Sequence, residues 1–152
     1  MAEFLANEIQ TIAPGNPVAL HTSIGCNKGY VYHRPESGVL ILRGIVNNPC
    51  CNFARYQATF NGNIAIPEGG TPGPIAVALS IDGQPIPTSR AIVTPTEADA
   101  YFNVTSTAII DVPRGCCVNV SVMNVSESPT PATTPAPTIN VQNSNLVVSR
   151  IA

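Results

Sequence analysis

The sequence feature that most constrains the fold is a regular alternation over residues 75–81, which read IAVALSI and are followed at once by Asp82-Gly83. Large aliphatic side chains occupy every second position of this run, and small or polar side chains lie between them. Successive side chains of a β-strand point to opposite faces, so the run predicts a strand with one buried face. The Asp-Gly pair favours a two-residue hairpin turn, and we expect the chain to return as a second strand over 86–93.

Other strand-like runs recur along the chain, and most of them end at a proline, glycine or asparagine turn signal. They cover residues 8–13, 18–22, 30–34, 39–46, 53–60, 64–66, 101–112, 116–125 and 139–151. Long blocks of helix-forming residues are absent, and at most one short helical turn is expected, over 94–100, where Thr94 and Pro95 suit a helix start. The pattern predicts an all-β, antiparallel β-sandwich of the jelly-roll type, with residues 1–152 forming a single domain.

Three stretches depart from simple alternation. Residues 39–46 (VLILRGIV) are apolar at nearly every position, which predicts a central strand covered on both faces. In the last strand the apolar parity changes near 143–145, and a β-bulge there would explain the change. Residues 126–138 (SESPTPATTPAPT) lie between the last two strands, and their many prolines predict a projecting, solvated hairpin loop within the domain.

Composition excludes several classes of partner. The net charge is −2 and only 11% of the residues are charged, so the chain lacks the basic footprint of a nucleic-acid-binding protein. No apolar run has the length of a membrane span, and no membrane partner is expected. The first ten residues, MAEFLANEIQ, carry acids where a signal peptide carries Lys or Arg. We therefore expect synthesis in a bacterial cytoplasm without a signal peptide.

Catalytic and cofactor-binding motifs are also missing from the sequence. His21 and His33 are the two histidines, and neither lies in a recognisable nucleophile, base or metal-ligand pattern. The carboxylates are few and fall at expected turns or strand ends, where turn-forming and capping roles suffice. The sequence predicts a protein that is not an enzyme, with no catalytic residue, no cofactor and no metal.

Five cysteines stand out because four of them form two adjacent pairs, Cys50-Cys51 and Cys116-Cys117. In a regular strand the alternation would bury Cys116 and turn Cys117 outward, so one pair cannot chelate an ion. Four strand passages separate the two pairs, and an even number of passages returns an antiparallel chain to the same end of a sandwich. A disulfide within the cluster of Cys50, Cys51, Cys116 and Cys117 is therefore permitted, and buried, reduced thiols are the alternative. Because five is odd, at least one thiol stays free or bonds another subunit.

The second half of the chain carries a family resemblance. The segments ALSIDGQPIPTSRAIV, IIDVPRGCCVNVSVMNVS and INVQNSNLVVSRIA resemble the final strands of trimeric jelly rolls of the tumour-necrosis-factor and complement-globular-head type. Over residues 74–152 the chain is most similar to the C-terminal domains of bacterial collagen-like spore-surface glycoproteins. The whole chain also resembles short proteins encoded by phages and prophages of gut bacteria.

These resemblances imply a homotrimer, in which copies cover one another's apolar outward groups. Tyr101 and Ile109 are the candidate interface residues, because both fall on the outward face of a strand whose core face is expected to carry Phe102, Val104, Ala108, Ile110 and Val112. The implied function is that of a structural protein on a virion surface, as a phage head decoration, auxiliary capsid or head-fibre protein touching the major capsid protein or another virion protein. The alternative is a module that binds a receptor or a host-surface glycan, on a phage or on a bacterial spore or cell surface.

Overall fold

The computed structural model describes residues 1–25, 29–129 and 133–152, so Cys26 lies outside the described residues. Their strands form two antiparallel sheets. The strands are β1 Ala2–Ala6, β2 Gln10–Ile12, β3 Thr22–Ile24, β4 Val31–His33, β5 Leu40–Arg43, β6 Phe53–Ala65, β7 Ile75–Ile81, β8 Gln84–Pro85, β9 Ala91–Val93, β10 Phe102–Pro113, β11 Cys117–Asn124 and β12 Ile139–Arg150. A single 3₁₀ turn in the described residues covers Pro87–Ser89.

The two sheets stack as a sandwich, which confirms the predicted fold class. Sheet A has the order β10-β6-β12-β1-β3, with β2 paired to β12, and sheet B has the order β4-β5-β11-β7-β8, with β9 paired to β7. After β5 the chain alternates between sheets, passing from β6 to β7, from β9 to β10 and from β11 to β12. The long strands β6, β10 and β12 lie side by side and make sheet A a broad platform.

The core lies between the inward faces of the two sheets. Its largest fully buried side chains include Phe4, Tyr56, Phe60, Leu79 and Ile110, contributed by both sheets. Burying a large side chain of this kind stabilises the fold by about 1.5–3 kcal/mol. In the described part of the chain, no helix is long or apolar enough to span a membrane.

The predicted Asp-Gly turn and the bulge are both confirmed, whereas the return strand expected over 86–93 is wrong, because the 3₁₀ turn at Pro87–Ser89 divides the returning chain into β8 and β9. Asp82 and Gly83 have φ angles of 49° and 82°, the two positive values that the tightest hairpin turn requires. In β12 the register shifts between Gln142 and Asn145, and Asn143 has a φ of 49°. The bulge moves the apolar side chains from odd to even positions, which keeps both halves of β12 facing the core.

Several predicted boundaries are wrong. The run over 39–46 was expected to be a central strand covered on both faces, but β5 ends at Arg43, and Ile45 is 42% exposed. A Cβ at Gly44 would overlap the carbonyl of Pro113, so the chain leaves the sheet through a position that only glycine fits. The helical turn expected over 94–100 does not form, because Asp99 has a φ of 57° and donates its N–H to the Ile66 carbonyl at 2.9 Å.

Two strands differ from the expected pattern in sheet A. The sequence predicts a break at Asn61-Gly62-Asn63, whereas β6 runs straight through these residues to Ala65. Position 62 favours glycine, because the Cβ of any other residue would lie only 2.9 Å from the Phe60 ring and 3.2 Å from the Ser144 side chain. Strand β1 was not predicted from the sequence, although its side chains alternate between buried and half-buried positions as the alternation rule for strands requires.

Candidate interaction surfaces

The outward face of sheet A is a ladder of uncharged polar side chains. Thr59 and Thr107 share a hydrogen bond of 2.8 Å between their hydroxyls. One pair further along the ladder, the Thr105 hydroxyl donates to the Asn61 side-chain oxygen at 3.2 Å. The next pair continues the series with Asn103 and Asn63, joined at 3.1 Å. Cross-strand bonds of this kind hold the side chains down and give the face a flat surface.

Sheet A has few charged side chains at the outward positions of its described strands, and each of them makes a hydrogen bond to another side chain. Arg55 donates two hydrogen bonds to Asp111, at 2.7 and 2.8 Å. This contact holds the pKa of the Asp111 carboxyl below its ordinary value and raises the pKa of Arg55. Glu3 accepts a hydrogen bond of 2.8 Å from the Asn145 amide. The charges of Arg55 and Asp111 cancel each other, so Glu3 is the charge that these outward positions leave without an opposite partner.

Apolar side chains surround the Arg55–Asp111 pair, and we call this region the apolar end of sheet A. Its members are Phe53, Ile109 and Ile151, which are 40%, 53% and 50% exposed. The Arg55 guanidinium lies 4.9 Å from the centre of the Phe53 ring, and the Ile151 N–H donates to the Arg55 carbonyl at 2.8 Å. Ile109 was selected from the sequence, whereas Phe53 and Ile151 were missed because the cross-strand register that joins them is not visible in sequence.

The structure separates the two predicted interface residues. Tyr101 is half-buried immediately before β10, and Ile109 lies eight residues further along the strand. At about 3.3 Å per residue, roughly 26 Å lie between them. Phe102 was expected in the core but is 42% exposed, because it stands at the first position of β10, the edge strand of sheet A.

Both cysteine pairs lie at the end of the sandwich next to Phe53, as strand counting predicted. The Arg114 N–H donates to the Asn52 carbonyl at 2.8 Å, and the Arg114 side chain donates to the Pro49 carbonyl at 3.2 Å. The Gly44 N–H donates to the Cys116 carbonyl at 2.8 Å. These bonds tie the loop over 44–52 to the turn over 113–116.

All four of these cysteines are exposed free thiols, so a disulfide among them stays a prediction. The prediction that Cys116 is buried is wrong. Strand β11 begins only at Cys117, and Cys116 closes a turn by donating its N–H to the Pro113 carbonyl at 3.0 Å. The alternation rule does not apply to a residue in a turn. Within the described residues, no three His, Cys, Asp or Glu side chains come together in a way that could hold a metal ion.

A cleft of about 570 Å³ opens at the opposite end of the sandwich. Its walls are the loop over 66–74 and the described parts of the proline-rich loop, 127–129 and 134–138. Six prolines supply apolar surface, while Glu68 and Glu127 supply carboxylates. Glu127 accepts a hydrogen bond of 2.6 Å from Arg90. The flanks of the loop thus line a cleft, and the predicted projection of its tip rests on residues 130–132, which lie outside the described residues.

Asn124 anchors the proline-rich loop, a role that sequence reasoning missed. Its side-chain amide donates to the carbonyls of Ile12 and Pro137, both at 3.0 Å, and its side-chain oxygen accepts the Ser126 N–H at 3.0 Å. Asn124 is 1% exposed. A buried amide with three partners fixes both the start and the end of the loop, and no short motif announces this arrangement.

Comparison with known proteins supports the fold directly. No family model matches the sequence, and no curated protein matches it. The globular domain of zebrafish complement 1qA protein superposes with a TM-score of 0.59 at 12% identity, covering 96% of this chain and 94% of that chain. The fold is therefore a jelly roll of the complement-globular-head type, as the sequence resemblance implied.

Two further solved structures are similar more loosely. The C-terminal domain of EclA, described as a sugar-binding protein, has a TM-score of 0.36 at 16% identity, covering 82% of this chain and 87% of that chain. The CBM22-1 xylan-binding domain of Paenibacillus barcinonensis Xyn10C has a TM-score of 0.35 at 7% identity, covering 99% of this chain and 87% of that chain.

Proposed function

We propose that this chain is a non-catalytic jelly-roll module that works as a homotrimer, with the outward face of sheet A buried between copies. The observation that carries the proposal is the apolar end, where Phe53, Ile109 and Ile151 are each at least 40% exposed beside a neutralised ion pair. Centres of protein interfaces are depleted in charge and enriched in aromatic and apolar groups.

The size of the face suits an interface between copies. Five strands spaced about 4.8 Å apart, the longest of them running for roughly 40 Å, present on the order of 800 Å². A specific protein–protein interface buries about that area on each partner. The ladder of hydroxyl and amide groups beside the apolar end would then supply the polar rim.

The biological setting we propose is the surface of a virion, with the trimer acting as a head decoration, auxiliary capsid or head-fibre protein. This setting is supported by the resemblance of the whole sequence to short phage and prophage proteins. It predicts that the protein co-purifies with capsids at a fixed stoichiometry. A protein that is absent from purified capsids and instead coats bacterial spores or cells would contradict the virion setting while leaving the trimer intact.

Light scattering on the purified protein tests the trimer, with the expected mass being three times that of the chain. Ile109→Asp places a charge in the apolar end, and we expect the dissociation concentration of the trimer to rise at least about tenfold. Ile92→Asp is the matched control, because Ile92 is a 59% exposed isoleucine on β9, in sheet B. A wild-type chain that is monomeric at roughly 100 µM, far above the dissociation constant of a specific complex, would refute the proposal.

A second candidate function is favoured by the cleft, which has the volume of a ligand site. Carboxylates such as Glu68 accept hydrogen bonds from sugar hydroxyls, and the prolines offer apolar surface to sugar C–H groups. We expect Glu68→Gln to lower binding to an array of bacterial-surface oligosaccharides, and Glu36→Gln, on a turn away from the cleft, to leave it unchanged. An array that shows no binding by the wild-type trimer would exclude this candidate.

A further inference from the structure

The cysteine pairs lie at the rim of the proposed interface. Strands β6 and β10 pair Phe53 with Pro113, and one more backbone bond, from Arg114 to Asn52, continues the contact beyond them. Cys51 is therefore two residues from Phe53 in the chain, and Cys116 is three residues from Pro113. At about 3.3 Å per residue, Cys50 lies within roughly 10 Å of Phe53, and Cys117 lies within roughly 13 Å of Pro113, the strand partner of Phe53.

Each pair lines its own recess at the surface. All four thiols are exposed. Val46 borders both the recess beside Cys50 and Cys51 and the separate recess beside Cys116 and Cys117, so it lies between the pairs. The absence of any three clustered metal-ligating side chains in the described residues agrees with this separation. Exposed thiols at the edge of an interface lie where they can meet the thiols of a neighbouring copy.

We propose that the two cysteine pairs form a redox-sensitive lock, in which disulfides join neighbouring copies of the assembled protein. This inference rests on the proposed homotrimer. In a ring of copies each interface joins two different patches, so one copy presents the loop with Cys50 and Cys51 while the next presents the turn with Cys116 and Cys117. Oxidation would convert a dissociable trimer into a covalently linked one.

The chemistry is ordinary thiol–disulfide exchange with a low-molecular-weight disulfide such as oxidised glutathione. A thiolate of one copy attacks a sulfur of the oxidant, which forms a mixed disulfide and releases one glutathione thiol. A thiolate of the neighbouring copy then displaces the second glutathione and forms the disulfide between chains. Two protein thiols are oxidised, one disulfide is reduced, and the two thiol protons leave on the two glutathione molecules.

The test compares two variants after incubation with oxidised glutathione, using gel electrophoresis without reductant. The Cys26→Ser variant keeps all four paired cysteines, and we expect more than about half of its chains to migrate as covalent dimers or trimers. The variant with serine at 50, 51, 116 and 117 keeps only Cys26, and we expect at least a fivefold loss of these bands. The protein of the first variant can be diluted tenfold while its concentration stays above the dissociation concentration of the trimer. The rate of cross-linking should not change on this dilution, because the partners are already assembled.

Light scattering in the presence of reductant separates the two proposals. A trimer that yields only single chains on the gel would overturn the lock and leave the proposed function standing. A monomer would refute the proposed function, and any cross-linking by that monomer would be random collision, which overturns the lock as well. Cross-linking that is lost in the Cys26→Ser variant and kept in the variant with four serines would assign the reaction to Cys26 and overturn the lock, and equal cross-linking by both variants would overturn it by showing no dependence on the cysteine pairs.

Discussion

Arg55 and Asp111 face each other across β6 and β10, and their side chains form two parallel hydrogen bonds of 2.7 and 2.8 Å. Both side chains remain more than two-fifths exposed. The pair lies among the apolar side chains of Phe53, Ile109 and Ile151, where two opposite charges cancel each other at short range. A two-point contact between a guanidinium and a carboxylate also fixes the geometry of both groups, so the apolar end keeps a defined shape.

Acidification should weaken this contact. Hydrogen bonding to Arg55 lowers the pKa of Asp111 in the folded protein. The ion pair therefore stabilises the fold fully above the ordinary carboxyl pKa of about 3.9, and this stabilisation is lost as the pH falls through the lower pKa of the folded state. We expect Asp111→Asn to remove a small part of the fall in melting temperature between about pH 5 and pH 2, no more than a few degrees because the pair is partly exposed. Glu97→Gln, at an exposed turn position, should leave the pH profile of the wild type unchanged.

The buried phenol of Tyr56 ties the core to the loop next to the cysteine pairs. Its hydroxyl lies 2.5 Å from the Arg43 carbonyl and 3.3 Å from the Tyr30 carbonyl, and the residue is fully buried. Tyr56→Phe removes the hydroxyl donor to the Arg43 carbonyl, whereas the Tyr30 carbonyl still accepts the Arg43 N–H at 2.9 Å. We expect the free energy of unfolding to fall by about 1–3 kcal/mol, measured by urea denaturation. Tyr32→Phe is the control, because Tyr32 is 52% exposed on β4 and should cost little.

Gly44 occupies a position with no room for a side chain. A Cβ there would overlap the Pro113 carbonyl and approach the Cys116 carbonyl at 3.1 Å. We expect Gly44→Ala to lower the free energy of unfolding by about 2 kcal/mol or more, because two backbone segments would have to move apart. Gly73→Ala provides the comparison, since nothing lies within 4 Å of a Cβ at that position. Equal stability of the two variants by urea denaturation would show that the loop relaxes freely.

Asn124 should control the proline-rich loop. Asn124→Ala removes three buried hydrogen bonds, and we expect a loss of about 2–3 kcal/mol in the free energy of unfolding. Amide hydrogen exchange in 133–138 should also become faster, because the bond to the Pro137 carbonyl is lost. Asn119→Ala, at an exposed position of β11, should change neither measurement. Unchanged exchange in the Asn124 variant would mean that the loop is held by other contacts.

Local patterns in the sequence determined where several strands and turns lie. The prediction that β7 has one buried face is wrong, because Ala76, Ala78 and Ser80 are buried as well. The alternation in β7, the Asp82-Gly83 turn and the parity change in β12 were all readable, because each depends on side chains and backbone preferences within a few residues. The placement of both cysteine pairs at one end also followed, since it needed only the number of strand passages. No comparable pattern named Phe53 and Ile151 as neighbours of Ile109.

Tertiary structure alone decided the features that depend on a partner distant in the chain. Strand β6 passes through Asn61-Gly62-Asn63 because β10 and β12 bond to it from both sides and offset the turn preference of these residues. Strand β5 ends where the Pro113 carbonyl leaves no space for a Cβ at position 44. In each case the deciding group lies dozens of residues away, where propensity within a short window carries no information.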